Sequence, residues 1–198
     1  MKRTVLSLLL FGILCSYSIG ENHEDLGSST NFHNIKSTFN KNDFVLNFGL
    51  GLGTNLFPMA HRSHYSAIVP PLSISAEYGI VDNIFIEKMT LGVGGIIGYS
   101  YSEYRSTYFW NTYKYNYTYI AIGLRGAVHY PLVENFDVHA GVTMGANIQI
   151  DHSRNVTDPR PLFGMYIGGR YYLTNNFAGM AEIGYGLSYL NIGFALKF

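Results

Sequence analysis

From residue 43 onward, apolar and polar positions alternate with a period of two, and each alternating run ends at a turn signal. The first run, 43–53, sets Phe44, Leu46, Phe48, Leu50 and Leu52 against Val45, Asn47, Gly49, Gly51 and Gly53. The last does the same, with Leu190, Ile192, Phe194, Leu196 and Phe198 on one face and Asn191, Gly193, Ala195 and Lys197 on the other. Between them the same period predicts strands over 72–80, 89–102, 117–130, 136–150, 162–173 and 177–186. That makes eight strands, with 43–198 as one domain.

The connections alternate in length. Those at 54–71, 103–116 and 151–161 are long, while 131–135 and 174–176 are tight turns. The connection at 81–88 is longer than this rhythm expects, and its apolar Ile84-Phe85-Ile86 finds no place on either face. The turn after the seventh strand is unusually short. Neighbouring strands joined this way form an antiparallel up-and-down sheet, and long loops at one end with short turns at the other suit an outer-membrane barrel.

Alternation alone does not say which face meets the outside, because a water-soluble lipocalin-like barrel alternates too. The polar face decides. It carries mostly Gly, Ser, Ala and Asn, where a water-facing surface would carry many Lys and Glu. Its charges are sparse and of both signs: Glu77, Asp137 and Glu182 against Arg125, Arg170 and Lys197. Few, balanced charges suit a narrow filled interior in which each charge needs a partner. On the other face, branched aliphatics such as Ile74, Ile122, Val142 and Ile167 occupy the strand centres, with Tyr and Phe at both ends. Two aromatic girdles around an aliphatic band are what a bilayer selects. The expected fold is all-β, an eight-stranded antiparallel up-and-down transmembrane β-barrel.

Composition agrees. Charged residues are 13% of the chain, against about 25% in an ordinary soluble domain. Residues 1–20 read as a signal peptide: Lys2 and Arg3, an apolar core from Val5 to Leu14, and Ser18-Ile19-Gly20 as a small-x-small cleavage site. The only cysteine, Cys15, lies within it, so the exported chain is expected to have no thiol chemistry. Bulky Ile13-Leu14 before Cys15 argue against a lipoprotein site. Past Gly20, 11 basic residues face 13 acidic ones, which gives no reason to expect nucleic acid as a partner. Residues 21–42 are polar and without period, and read as a flexible amino-terminal arm.

The stretch Gly168-Gly169-Arg170-Tyr171-Tyr172-Leu173-Thr174-Asn175-Asn176-Phe177, followed by Ala181-Glu182-Ile183-Gly184-Tyr185-Gly186 and the closing strand, resembles the small outer-membrane β-barrel proteins of Bacteroidetes-type bacteria. These are similar in architecture to the transmembrane domains of the OmpA and OmpX families. The resemblance implies an outer-membrane location with both termini in the periplasm, outer-membrane lipid as surroundings, and the barrel-assembly machinery as a partner. It also implies that Tyr189, Ile192, Phe194, Leu196 and Phe198 serve as the assembly signal, and that the interior charges form a salt-bridged plug.

Several candidates for chemistry remain. The interior charges could act as an ion gate by exchanging partners, although eight strands leave no open channel and a static filling is the simpler reading. The tyrosine-rich 103–116 loop, with Tyr104, Tyr108, Phe109, Trp110 and Tyr113, offers rigid amphipathic contact area for a surface protein or glycan. The same side chains would also suit lipid headgroups. His61 and His64 lack a nearby carboxylate or cysteine, so no metal is expected there. His64-Tyr65-Ser66 superficially resembles the His and Ser of lipid deacylases, but no orienting acid or oxyanion site accompanies it. No cofactor is called for. The expected function is a non-enzymatic outer-membrane barrel, structural or surface-binding through its loops, with a gated small-solute pore or a lipid-modifying enzyme as the alternative.

Overall fold

A computed structural model describes the chain over residues 38–53, 65–108 and 111–198, with side chains at 65–68 and 104–113 left aside. The fold is all-β. Eight strands run β1 (Phe44–Leu52), β2 (Tyr65–Asp82), β3 (Thr90–Tyr108), β4 (Asn111–Val133), β5 (Phe136–Asp151), β6 (Val156–Tyr172), β7 (Phe177–Tyr185) and β8 (Leu190–Lys197). Each pairs antiparallel with its neighbour in sequence, and β1 pairs with β8, so the sheet closes into a barrel whose body has no free edge. Among the described residues no helix is long and apolar enough to cross a membrane.

Closure fixes the facing. Phe48 lies opposite Phe194 across the β1–β8 seam, their rings 4.9 Å apart, and Asn47 lies opposite Ala195 on the inner face. Along every strand the alternation places small and polar residues inward, where Asn47, Ser75, Thr143 and Asn147 are buried. Ile74, Ile97, Ile122, Leu124, Val142 and Ile183 point outward and are exposed despite being apolar. A contiguous exposed apolar surface is the informative observation, because water does not tolerate one of this extent.

The wall is uneven. β2 to β6 run 16 to 23 residues, while β1, β7 and β8 run 8 or 9. Three of the expected long loops are therefore partly strand. The expected loop over 103–116 is mostly a hairpin, paired from Glu103↔Asn116 out to Tyr108↔Asn111. β2 reaches β3 only as far as Tyr104, and β5 reaches β4 only as far as Tyr117. The pairs from Arg105↔Lys114 to Tyr108↔Asn111 thus form a two-stranded ribbon beyond the wall, about 13 Å along the strand. The expected loop over 151–161 is likewise strand on both sides, leaving a turn at 152–155 in which Asn155 takes a left-handed φ of 54°.

β2 also starts earlier than expected. Pro70 and Pro71, which read as loop signals, lie inside it at a register shift between Val69 and Leu72. Proline cannot donate to the ladder, and the bulge absorbs that loss. Ile84-Phe85-Ile86 falls in the turn between β2 and β3, with Phe85 79% exposed. This turn lies at the end of the barrel that also holds Phe198 and the start of β1.

Candidate functional site

The inner face of the barrel gathers the sequence's few charged residues into one cluster. Arg125, on β4, sends its guanidinium across the lumen. Its Nη2 lies 2.7 Å from Glu182 Oε1 on β7, Nη1 donates to Ser75 Oγ on β2 at 3.0 Å, and Nε donates to Tyr166 OH on β6 at 3.0 Å. The guanidinium also stacks over the Tyr166 ring, 3.9 Å from its centroid. Arg170, on β6, pairs with Glu77 on β2 and lies 3.6 Å from Asp137 on β5. All five charged groups are buried, Arg170 completely. Charges so placed are tolerable only because each meets an opposite partner in low dielectric.

Two histidines complete the cluster. His129 Nδ1 is 2.9 Å from Asp137 Oδ2, and its Nε2 is 3.9 Å from Glu77 Oε2. His139 Nδ1 is 3.7 Å from the same Asp137 oxygen, and its Nε2 is 3.2 Å from Glu182 Oε1. Each imidazole therefore stands between two carboxylates, in the order Glu77, His129, Asp137, His139, Glu182 across the lumen. Neither histidine belongs to the set expected from charge alone. The signal was present, since both sit on the polar face of their strands, but a neutral residue in an alternating pattern reads as filler.

Of the six expected interior charges, five meet here and one does not. Lys197 stands apart at the mouth, where its Nζ donates to the Thr38 carbonyl at 3.0 Å and lies 3.6 Å from Asp43. It also lies 5.3 Å from the Tyr172 ring centroid.

The mouth is closed by the end of the amino-terminal arm, a feature the sequence reading set in solvent. Phe39 is 1% exposed, with its ring 4.2 Å from that of His129. Backbone bonds tie the segment down: Asn42 N to the Gly79 carbonyl at 2.9 Å, and Asp43 N to the Asn40 carbonyl at 3.1 Å. Lys41 N also donates to Asp82 Oδ1 at 2.8 Å. Gly79 is required here, because a Cβ on it would lie 2.1 Å from the Asn40 carbonyl oxygen. The expectation of a flexible arm fails for residues 38–42, since one buried aromatic and a set of backbone bonds outweigh the polar composition around them. Residues 21–37 lie outside the described residues.

On the other side of the Arg125–Glu182 pair, a cavity of about 40 Å³ lies beneath Leu187 in the β7–β8 turn. Above it Tyr119, Ala121 and Leu162 fill the lumen as a small apolar cluster.

The remaining expected residues are dispersed. Ile192, Phe194 and Leu196 lie on the outer face of β8, where Phe194 packs on Phe48 and Phe177. Phe198 follows the strand, donates to the Phe44 carbonyl at 2.8 Å and is 69% exposed. Tyr189 lies in the β7–β8 turn rather than in the strand. In the hairpin, Tyr104 and Tyr108 belong to β3 and Tyr113 to β4, while Phe109 and Trp110 lie outside the described residues, as do His61 and His64.

With the geometry in hand, the class is a closed eight-stranded antiparallel barrel with a charged, filled lumen. No protein-family model matches the chain, and no curated protein matches it in sequence. Among solved structures it is similar to the N-terminal β-barrel domain of Pseudomonas aeruginosa OprF. The identity there is 14%, with 80% of this chain and 98% of that one covered and a TM-score of 0.43. It is also similar to Ail, the attachment invasion locus protein of Yersinia pestis, at 9% identity, 79% and 95% coverage and a TM-score of 0.41.

Proposed function

We propose that the chain is a non-enzymatic outer-membrane β-barrel whose body is a sealed transmembrane scaffold and whose surface role is carried by the β3–β4 ribbon. One observation carries this reading: the outside of the closed barrel is an apolar belt while the inside holds the ionised groups. That is the inverse of a soluble barrel, and it fits a protein whose solvent is lipid. Assignment to the Bacteroidetes type rests on the resemblance of 168–177, 181–186 and the closing strand alone.

The filled lumen favours a scaffold over a pore. The Phe39 segment, the ion pairs of Arg170 and Arg125 with Tyr166 beside them, and the Tyr119 cluster fill the interior, so an ion would have to break buried charge pairs to pass. The ribbon, whose strands pair only with each other among the described residues, provides a surface clear of the bilayer for a protein or glycan. Outer-membrane lipid and the assembly machinery are the other partners, and both termini sit on the periplasmic side. Planar-bilayer recording tests the reading. The refolded protein is expected to give no unitary conductance steps, and reproducible steps of one size would overturn the sealed scaffold in favour of the gated pore.

A further inference from the structure

We propose that His129, Asp137 and His139 form a binding site for one divalent transition-metal ion of the Zn²⁺ class, sealed into the barrel by Phe39. One ligand atom from each of the three lies within 4.8 Å of the other two, and all three side chains are buried. Bonds of about 2.1 Å to a tetrahedral ion place ligand atoms about 3.4 Å apart. The two contacts to Asp137 Oδ2, 2.9 Å and 3.7 Å, bracket that spacing.

Two further observations point to a ligand. His139 Nδ1 and Asp137 Oδ1 are buried with no hydrogen-bond partner, so polar atoms in the cluster are left without the bonds burial demands. Furthermore, the ring nitrogen of each histidine that faces away from Asp137 looks at a second carboxylate, Glu182 at 3.2 Å and Glu77 at 3.9 Å. A carboxylate behind a ligating histidine fixes its tautomer and strengthens it as a ligand.

The charge count also calls for a cation. Three carboxylates (Glu77, Asp137 and Glu182) face two guanidiniums (Arg125 and Arg170), and neutral imidazoles leave the cluster one negative charge in excess. Arg170 Nη1, 3.6 Å from Asp137 Oδ2, opposes the ion and keeps affinity moderate. A proton on a histidine is the rival occupant, and metal binding to neutral imidazoles must then release protons and weaken in acid. Phe39 packs on His129 at the mouth that the 38–42 segment closes, so the ion enters during folding or when that segment lifts.

The experiment refolds the full chain into detergent with ZnCl₂, removes free ion by dialysis and measures zinc per chain. One equivalent is expected, lost on acidification, with zinc X-ray absorption giving two imidazoles and one carboxylate oxygen. The double variant His129→Gln/His139→Gln is expected to bind none. Should that variant fail to fold, the absorption spectrum of the unaltered chain decides on its own. No zinc in the unaltered chain, zinc retained by the folded double variant, or a spectrum lacking two imidazoles would each overturn the site. The first of these would leave the cluster holding a proton instead.

Discussion

Arg170→Met is the sharpest perturbation of the lumen. Methionine keeps an apolar stem out to the level of Nε, removes the charged head, and leaves Glu77 and Asp137 both buried and short of their shared cation. Breaking a buried pair by removing one partner costs about 3–5 kcal/mol, because the surviving charge has no compensation. Here two carboxylates are stranded, with His129 and His139 as their remaining neighbours, so the upper half of that range is expected. Set against the ~5–15 kcal/mol stability of ordinary domains, this is a large fraction. Urea titration of folding into lipid vesicles, read by the mobility difference between folded and unfolded chain, measures it through the shift in midpoint at constant slope. The double variant Arg170→Met/Glu77→Gln should recover at least half of the loss, since one stranded charge is gone. A cost below about 1 kcal/mol for Arg170→Met, with no recovery in the double variant, would mean the lumen is wet and its ion pairs are screened. The sealed scaffold would then fail with it.

Three other outcomes are expected. Val142→Arg, on the outer face of β5, should cost roughly 2–4 kcal/mol near the bilayer midplane. Thr143→Arg, its inward neighbour, should fail by crowding Arg125, and both effects are read by the same titration. Phe39→Ala or Gly79→Ala should release the 38–42 segment while the barrel survives. Trypsin would then cut after Lys41 in the folded protein, and continued protection in both variants would show that the segment is held by something else. Deleting Phe198 removes one exposed side chain, worth at most about 1.5–3 kcal/mol. It should therefore block insertion in cells far more than refolding in detergent, whereas equal defects in both assays would reduce Phe198 to an ordinary rim aromatic.

The eight strands were legible because an apolar outer face and a polar lumen force strict alternation, and Val142 against Thr143 or Phe194 against Ala195 states it plainly. Legibility ended where one of those two environments ended. Beyond the rim both faces of the 105–108 and 111–114 segments leave the two-sided environment, the apolar signal vanishes, and only the β-propensity of Tyr and Thr remains. Pro70-Pro71 misled because a bulge can host what a regular ladder cannot. The charged members of the lumen cluster could be picked out from their rarity, but their pairing could not: Arg125 reaches Glu182 across 57 positions and Arg170 reaches Glu77 across 93. His129 and His139 were hidden by their neutrality, and Phe39 by a polar setting in which one aromatic carries no period.

The central claim is that the apolar face meets lipid. Cys15 is the only cysteine in the sequence, so single cysteines introduced at 122, 142, 143 and 183 can each carry a nitroxide label once Cys15 is removed. Collision with dissolved oxygen, which partitions into lipid, and with a water-soluble nickel chelate reports the surroundings of each label in vesicles. Labels at 122, 142 and 183 are predicted to meet oxygen far more often than the chelate, with 143 shielded from oxygen relative to 142. High chelate accessibility at 122, 142 and 183, equal to that of a label in water, would contradict the membrane barrel outright.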